Sequence, residues 1–175
     1  MEHNYFTRSP NLIEKRTIGK GRTTIINICS FLVTPHDYAQ SFGFQWKRYA
    51  KVQIDRFNGT QITQGHLAQL LGFPLSRLKN LTVLEVGSGA GRYTDLFRTL
   101  AHHVITVDPS AISSNVAIGA SNLTAVRADL FDLPINSEKI DLVFCRGVLQ
   151  HTQDPIAAIK QLCTYVKVGG LVAFD

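Results

Sequence analysis

Three carboxylates, a cluster of glycines, an arginine and a histidine in the second half of the chain are of types and spacings that can do chemistry together. Val83-Leu84-Glu85-Val86-Gly87-Ser88-Gly89-Ala90-Gly91-Arg92-Tyr93 reads as a short apolar strand, a turn, and the first turn of a helix. Gly87, Gly89 and Gly91 lack a Cβ, so the backbone can bend sharply and a ligand can approach it closely. Amides opening the next helix point outward and favour an anionic or polar group. Glu85 precedes the first glycine by two residues. Asp108 follows Val-Ile-Thr-Val, 23 residues after Glu85, and Asp129 closes a third apolar stretch. Arg146 and His151 follow a fourth.

Such a loop suits a dinucleotide or S-adenosylmethionine. The spacing is G-x-G-x-G, and Arg92 stands where the dinucleotide fingerprint carries its third Gly or Ala. A carboxylate at position 85 would oppose a pyrophosphate; it suits the ammonium of a methionine moiety, directly or through water. Asp108, at a strand tip, can accept from both ribose hydroxyls. Dinucleotide folds use the same device, and the residue also reads as a turn acid before Pro109. Asp129 can accept from an adenine amine while the Leu130 amide donates to a ring nitrogen. It reads equally as a cap, with Asp132 as a competitor. An imidazole titrates near neutrality, which makes His151 the candidate base for an acceptor that must lose a proton; a structural loop histidine is the alternative. Arg146 can hold an acidic substrate group or simply pack.

The elements that must position these residues alternate. Strands are expected at Thr82–Val86, Val104–Val107, Thr124–Arg127, Ile140–Cys145 and Leu171–Phe174. Helices are expected at Arg92–Ala101, Ser110–Gly119 and Pro155–Val166, the last with Asp154 at its start. This order implies βαβ units: an α/β fold with a Rossmann-like, doubly wound, mostly parallel sheet. Upstream, Phe44, Tyr49, Val52 and Phe57 are spaced as on a helix, and Asn58-Gly59 ends it with a turn. Thr63 is expected to cap a second helix, Gln64–Leu71. Phe44, Gln45, Trp46 and Tyr49 then form either a lid over the site or a helix packed on the sheet. Three parts result: a poorly ordered lead-in or module remnant at 1–36, a helical extension at 37–80, and a core at 81–175.

With 175 residues the chain suits about one domain. Cys29, Cys145 and Cys163 are scattered, which fits reduced thiols in a cytoplasmic protein. No His, Cys or acid cluster has metal-ligand spacing, and no metal is expected. Residues 1–80 hold 11 Lys/Arg and 4 Asp/Glu (+7), and residues 81–175 hold 7 and 9 (−2). The basic half reads as a solvated leader; it has no basic stripe interleaved with aromatics, so a nucleic-acid partner is not expected. The apolar run Ile25–Val33 is too short to span a membrane and reads as a strand or a misplaced piece of core. The fifth strand, Leu171–Phe174, is apolar on both faces. A partner or a further segment is therefore expected to cover that edge.

Val83–Gly91, Val107-Asp108, Ala128–Leu130, Ile140–His151 and Lys167–Asp175 follow one another in an order that resembles class I S-adenosylmethionine-dependent methyltransferases, nearest the type 11 group. Tyr38–Thr60 is similar to the lead-in of bacterial methyltransferases found with surface-glycan genes. The resemblance implies a S-adenosyl-L-methionine cofactor, with Glu85, Gly87, Ser88, Gly89 and Gly91 at its methionine end. Asp108 and Pro109 would lie at the ribose and Asp129 with Leu130 at the adenine. Cys145 and Arg146 would stand at the reaction site. It also implies a missing pair of last strands, and methyl transfer to a small-molecule or glycan-like acceptor. The alternatives are a truncated non-catalytic module that only binds cofactor and a nicotinamide-dependent oxidoreductase.

Overall fold

The computed structural model describes residues 5–10, 12–18, 24–31, 46, 48–49, 51–110 and 121–175. Its strands are β1 (Leu12–Ile18), β2 (Thr24–Ser30), β3 (Thr82–Val86), β4 (His103–Val107), β5 (Leu123–Arg127), β6 (Leu142–Cys145) and β7 (Leu171–Phe174). They form one sheet in the order β1-β2-β5-β4-β3-β6-β7. All neighbours run parallel except β1 and β2. The five strands expected in residues 81–175 are present, each within two residues of its expected start.

The central strands are apolar along their whole length because helices cover both faces of a parallel sheet. Val83, Leu84, Val104, Ile105, Leu142 and Val143 are all fully buried. One face packs under α1 (Ile62–Leu71) and α2 (Arg92–Leu100), where Leu67, Tyr93 and Phe97 meet Val83, Leu142 and Phe144. Phe97 meets the Phe144 ring edge-on at 5.1 Å between centroids, a favoured aromatic geometry. The other face packs under α3 (Pro155–Thr164), through Ala158 and Leu162. Asp154 caps α3 as expected, its side chain accepting from the Ala157 amide at 2.9 Å, with Pro155 in the first turn.

Two expectations need correction. Residues 1–36 were expected as a poorly ordered lead-in or a module remnant, yet β1 and β2 extend the sheet beside β5, with Ile28 opposite Ala125. Tyr5 and Phe31 are buried in the core as well. β2 takes up most of the apolar run at 25–33, so local apolarity there encodes a strand. Thr63 does not cap α1 either. The helix begins at Ile62, and the Asp55 carboxylate takes the Thr63 amide (2.9 Å), the Gln64 amide (3.2 Å) and the Thr63 hydroxyl (2.7 Å). A carboxylate seven residues upstream thus does the work of a local cap. Of the other expectations, the helix at Ser110–Gly119 falls on residues 111–120, outside the described residues, as do Phe44 and Gln45.

β7 pairs with β6 alone among the described residues, and Leu171 and Phe174 are more than two-fifths exposed. Asp55→Ala is expected to destabilise the chain by about 1–2 kcal/mol, the scale of a lost N-cap. Urea unfolding checks this, and an unchanged midpoint would remove Asp55 from the capping role.

Candidate functional site

Parallel strands bring their carboxyl ends to one edge of the sheet. The chain leaves β3 toward β4 and β5, then returns to the other side for β6 and β7. Between β3 and β6 the order reverses, and open α/β sheets hold ligands in the crevice there. Two adjoining cavities open at this edge, of about 270 and 150 Å³. Both are lined by Gly87, Pro109, Val148 and His151, so they form one cleft.

The glycine loop makes its floor. Gly87, Gly89 and Gly91 have φ of 84°, 49° and 86°, a region costly for residues with a Cβ. A Cβ on Gly87 would meet Val148 Cγ2 at 2.1 Å, and one on Gly89 would meet the Trp46 ring at 3.1 Å. The Gly87 and Ser88 amides donate to the Val107 carbonyl at 2.8 and 3.1 Å, and the Gly89 amide donates to Asp108 Oδ2 at 2.8 Å. Asp108 Oδ1 accepts from the Ser110 amide and hydroxyl. Asp108 therefore faces the cleft and also ties the β3 loop to the end of β4. The Ser88 hydroxyl is buried with no hydrogen-bond partner among the described residues, and Ser88 lines the larger cavity. Buried polar atoms are nearly always partnered, so this one has a place for a ligand atom.

Asp129 and Leu130 line the smaller cavity. Asp129 also accepts from the Phe131 amide at 2.8 Å, so it is both a turn cap and a cleft residue. Arg146 lines the larger cavity, but it pairs with Asp175 at 2.7 Å through Nε and donates to the Tyr93 hydroxyl. It is therefore not the open cation that the sequence suggested. His151 lies on the turn Leu149–His151 and lines both cavities.

Two candidates do not reach the cleft. Glu85 points under α2, where Thr94 and Thr106 donate to its Oε2 at 2.5 and 2.9 Å. Strand alternation sends it into the helix-covered face, away from any ligand at the strand tips. Burial, offset in part by these two hydroxyls, pushes its carboxyl up to about 7, and nearby Asp108 adds to the rise. Cys145 is fully buried on the α3 face, and burial raises its thiol to about 12. Arg92, Tyr93 and Gln53 also line the larger cavity, and the sequence reading assigned them no role in the site. For Arg92 the signal was adjacency to Gly91, which places it at the loop's exit. Among the described residues no group of three or more potential metal ligands occurs.

A family described as a methyltransferase domain matches residues 84–174, a little over half of the chain. The chain belongs to the class I S-adenosylmethionine-dependent methyltransferases. This membership sets aside the nicotinamide alternative. Methyltransferases of this class share the fold across distant sequences. A Haloferax volcanii methyltransferase bound to its Trm112 activator superposes with a TM-score of 0.60 at 18% identity, over 77% of this chain and 59% of that one. A DhpI–SAM–HEP complex gives a TM-score of 0.56 at 26% identity, over 81% and 67%. In sequence, the tRNA U34 carboxymethyltransferase of Shewanella halifaxensis is 35% identical over 110 residues. Those residues are 58% of this chain and 33% of the relative, so the chain spans about a third of the curated relatives it matches. S-adenosylmethionine is the cofactor of the family, and the uncapped Ser88 hydroxyl and the Cβ-free loop fit such a group.

The buried Glu85 gives a pH prediction. The folded chain keeps a proton there up to about pH 7, whereas an unfolded glutamate releases it near 4.5. The folded state binds the extra proton between these values, so stability falls as pH rises through that window, by about 3 kcal/mol in all. Glu85→Gln keeps the acceptor oxygen and removes the titration. Urea midpoints at pH 5 and 7.5 should fall for the wild type and stay level by comparison for the variant. Equal falls in both would exclude Glu85 as the titrating group.

Proposed function

We propose that this chain carries the cofactor-binding and reacting part of an enzyme that transfers a methyl group from S-adenosylmethionine to a small-molecule acceptor, glycan-like molecules included. The observation that carries the reading is the single cleft at the sheet reversal, where the glycine loop and its orphaned Ser88 hydroxyl meet Asp108, Asp129 and Leu130. Gly87, Ser88 and Gly89 would hold the methionine part, with Asp108 and Pro109 at the ribose and Asp129 and Leu130 at the adenine. When bound, the cofactor supplies an electrophilic methyl group. The protein then has to align an acceptor with it and exclude water. His151 would take a proton from an acceptor that must lose one. We also propose a cytoplasmic location and a further segment or partner covering β7. Among the described residues no helix is long and apolar enough to cross a membrane.

A second reading makes tRNA the acceptor. It is favoured by the tRNA-directed function named for the Shewanella relatives and by the +7 balance of residues 1–80. Incubation with methyl-labelled cofactor and fractionated cell extract separates the two by whether label enters small molecules or tRNA. Cofactor binding with no label in either fraction would mark a non-catalytic module.

Calorimetry with S-adenosylhomocysteine tests the site itself. Asp108→Ala is expected to cost roughly 1–3 kcal/mol of binding, as hydrogen bonds to a charged group do. Unchanged affinity in the folded variant would take Asp108 out of the site.

A further inference from the structure

The larger cavity has a second wall, separate from the residues proposed above for the cofactor. Two guanidiniums lie within cation–π distance of the Tyr93 ring, with Arg92 Cζ 5.6 Å and Arg146 Cζ 5.5 Å from its centroid. All three residues line this cavity and none lines the smaller one. The charges differ in how they are met. Arg146 is neutralised by Asp175, and Asp108 on the same cavity is held by the Gly89 amide and by Ser110. Arg92 donates only through Nε, to the Thr63 hydroxyl at 3.0 Å. Its two terminal nitrogens have no acceptor among the described residues. A planar cation within cation–π distance of an aromatic ring, aimed by one hydrogen bond and otherwise uncommitted among the described residues, is suited to grip a carboxylate or phosphate.

We infer that Arg92, braced on Tyr93, is the specificity residue that binds an anionic group of the acceptor, a carboxylate or phosphate on a small molecule. The inference rests on the proposed methyl transfer and adds the substrate class. Two features separate this anion from the cofactor's own carboxylate. Arg92 is oriented by Thr63 of α1, and the cavity it faces is also lined by Trp46 and Gln53. All three lie outside residues 84–174, the part shared by the family. Elements outside the shared part fit recognition of what varies within a family, which is the acceptor. A cavity of about 270 Å³ with one uncommitted cation among the described residues holds a small anion, whereas a nucleic-acid backbone needs a track of several cations.

Trp46 is the chain's one tryptophan and lines this cavity, so its fluorescence reports on it. The 175-residue chain, wild type and as Arg92→Gln and Arg92→Lys, is titrated with S-adenosylhomocysteine, then with inorganic phosphate at saturating S-adenosylhomocysteine. Circular dichroism and urea midpoints check that each variant is folded. Arg92→Gln should weaken the phosphate response at least fivefold, Arg92→Lys should recover part of it, and S-adenosylhomocysteine affinity should stay within twofold throughout. An equal phosphate response in folded Arg92→Gln overturns the inference. So does a loss confined to S-adenosylhomocysteine, which would give Arg92 to the cofactor's carboxylate. If the wild type binds no S-adenosylhomocysteine, the cofactor reading fails instead. Phosphate titration of the chain alone then decides on Arg92 by the same fivefold criterion.

Discussion

The hydrogen bond from the Gly89 amide to the Asp108 carboxylate is the interaction on which the site depends. Three glycines at positive φ would be a loose segment by themselves, since glycine loses more freedom on ordering than any other residue. Here the loop is fixed to the next strand three times, twice at the Val107 carbonyl and once at Asp108. The bend that carries the buried Ser88 hydroxyl is thereby built into the sheet. Removal of Asp108 takes away a cleft acceptor and the tie that shapes the cleft together, so the two effects are not separable by that substitution alone.

The sheet explains why the tie falls where it does. β3 is an interior strand and β4 is its parallel neighbour, with Val86 opposite Val107. The residues just past each strand, Gly87 to Gly89 and Asp108, are then brought within bonding distance by register. No side chain beyond the strands is needed to bring them together. The same register places Val148, after β6, against Gly87 from the other side.

The part of the fold made of local, repeated pattern was legible in the sequence. Strands β3 to β7, α2 and α3 follow from apolar runs and helical spacing, and Asp154 before Pro155 announced its helix. The tips of the strands were legible for the same reason, which is how Asp108 and Asp129, both lining the cleft, were singled out. What escaped was long-range. Nothing near Thr63 says that a carboxylate at Asp55 will cap α1. Nothing in residues 12–30 says that they join the sheet at β5. Glu85 and Cys145 were drawn toward the site by sequence proximity to it, but alternation turned both side chains into the packed layers. For Arg146 the choice between a substrate-holding and a packing role stayed open in the sequence because its partner, Asp175, lies 29 residues away.

Asp175 has a further effect through β7. Its two carboxylate oxygens hold Arg146 and the Gly147 amide. At the other end of the strand, Lys167 pairs with Asp141, whose backbone carbonyl takes the Leu171 amide and whose side chain takes the Thr82 amide. A four-residue outer strand would ordinarily fray from both ends. Clasped at both, β7 keeps its outward-facing backbone groups in line, a standing template for another extended segment.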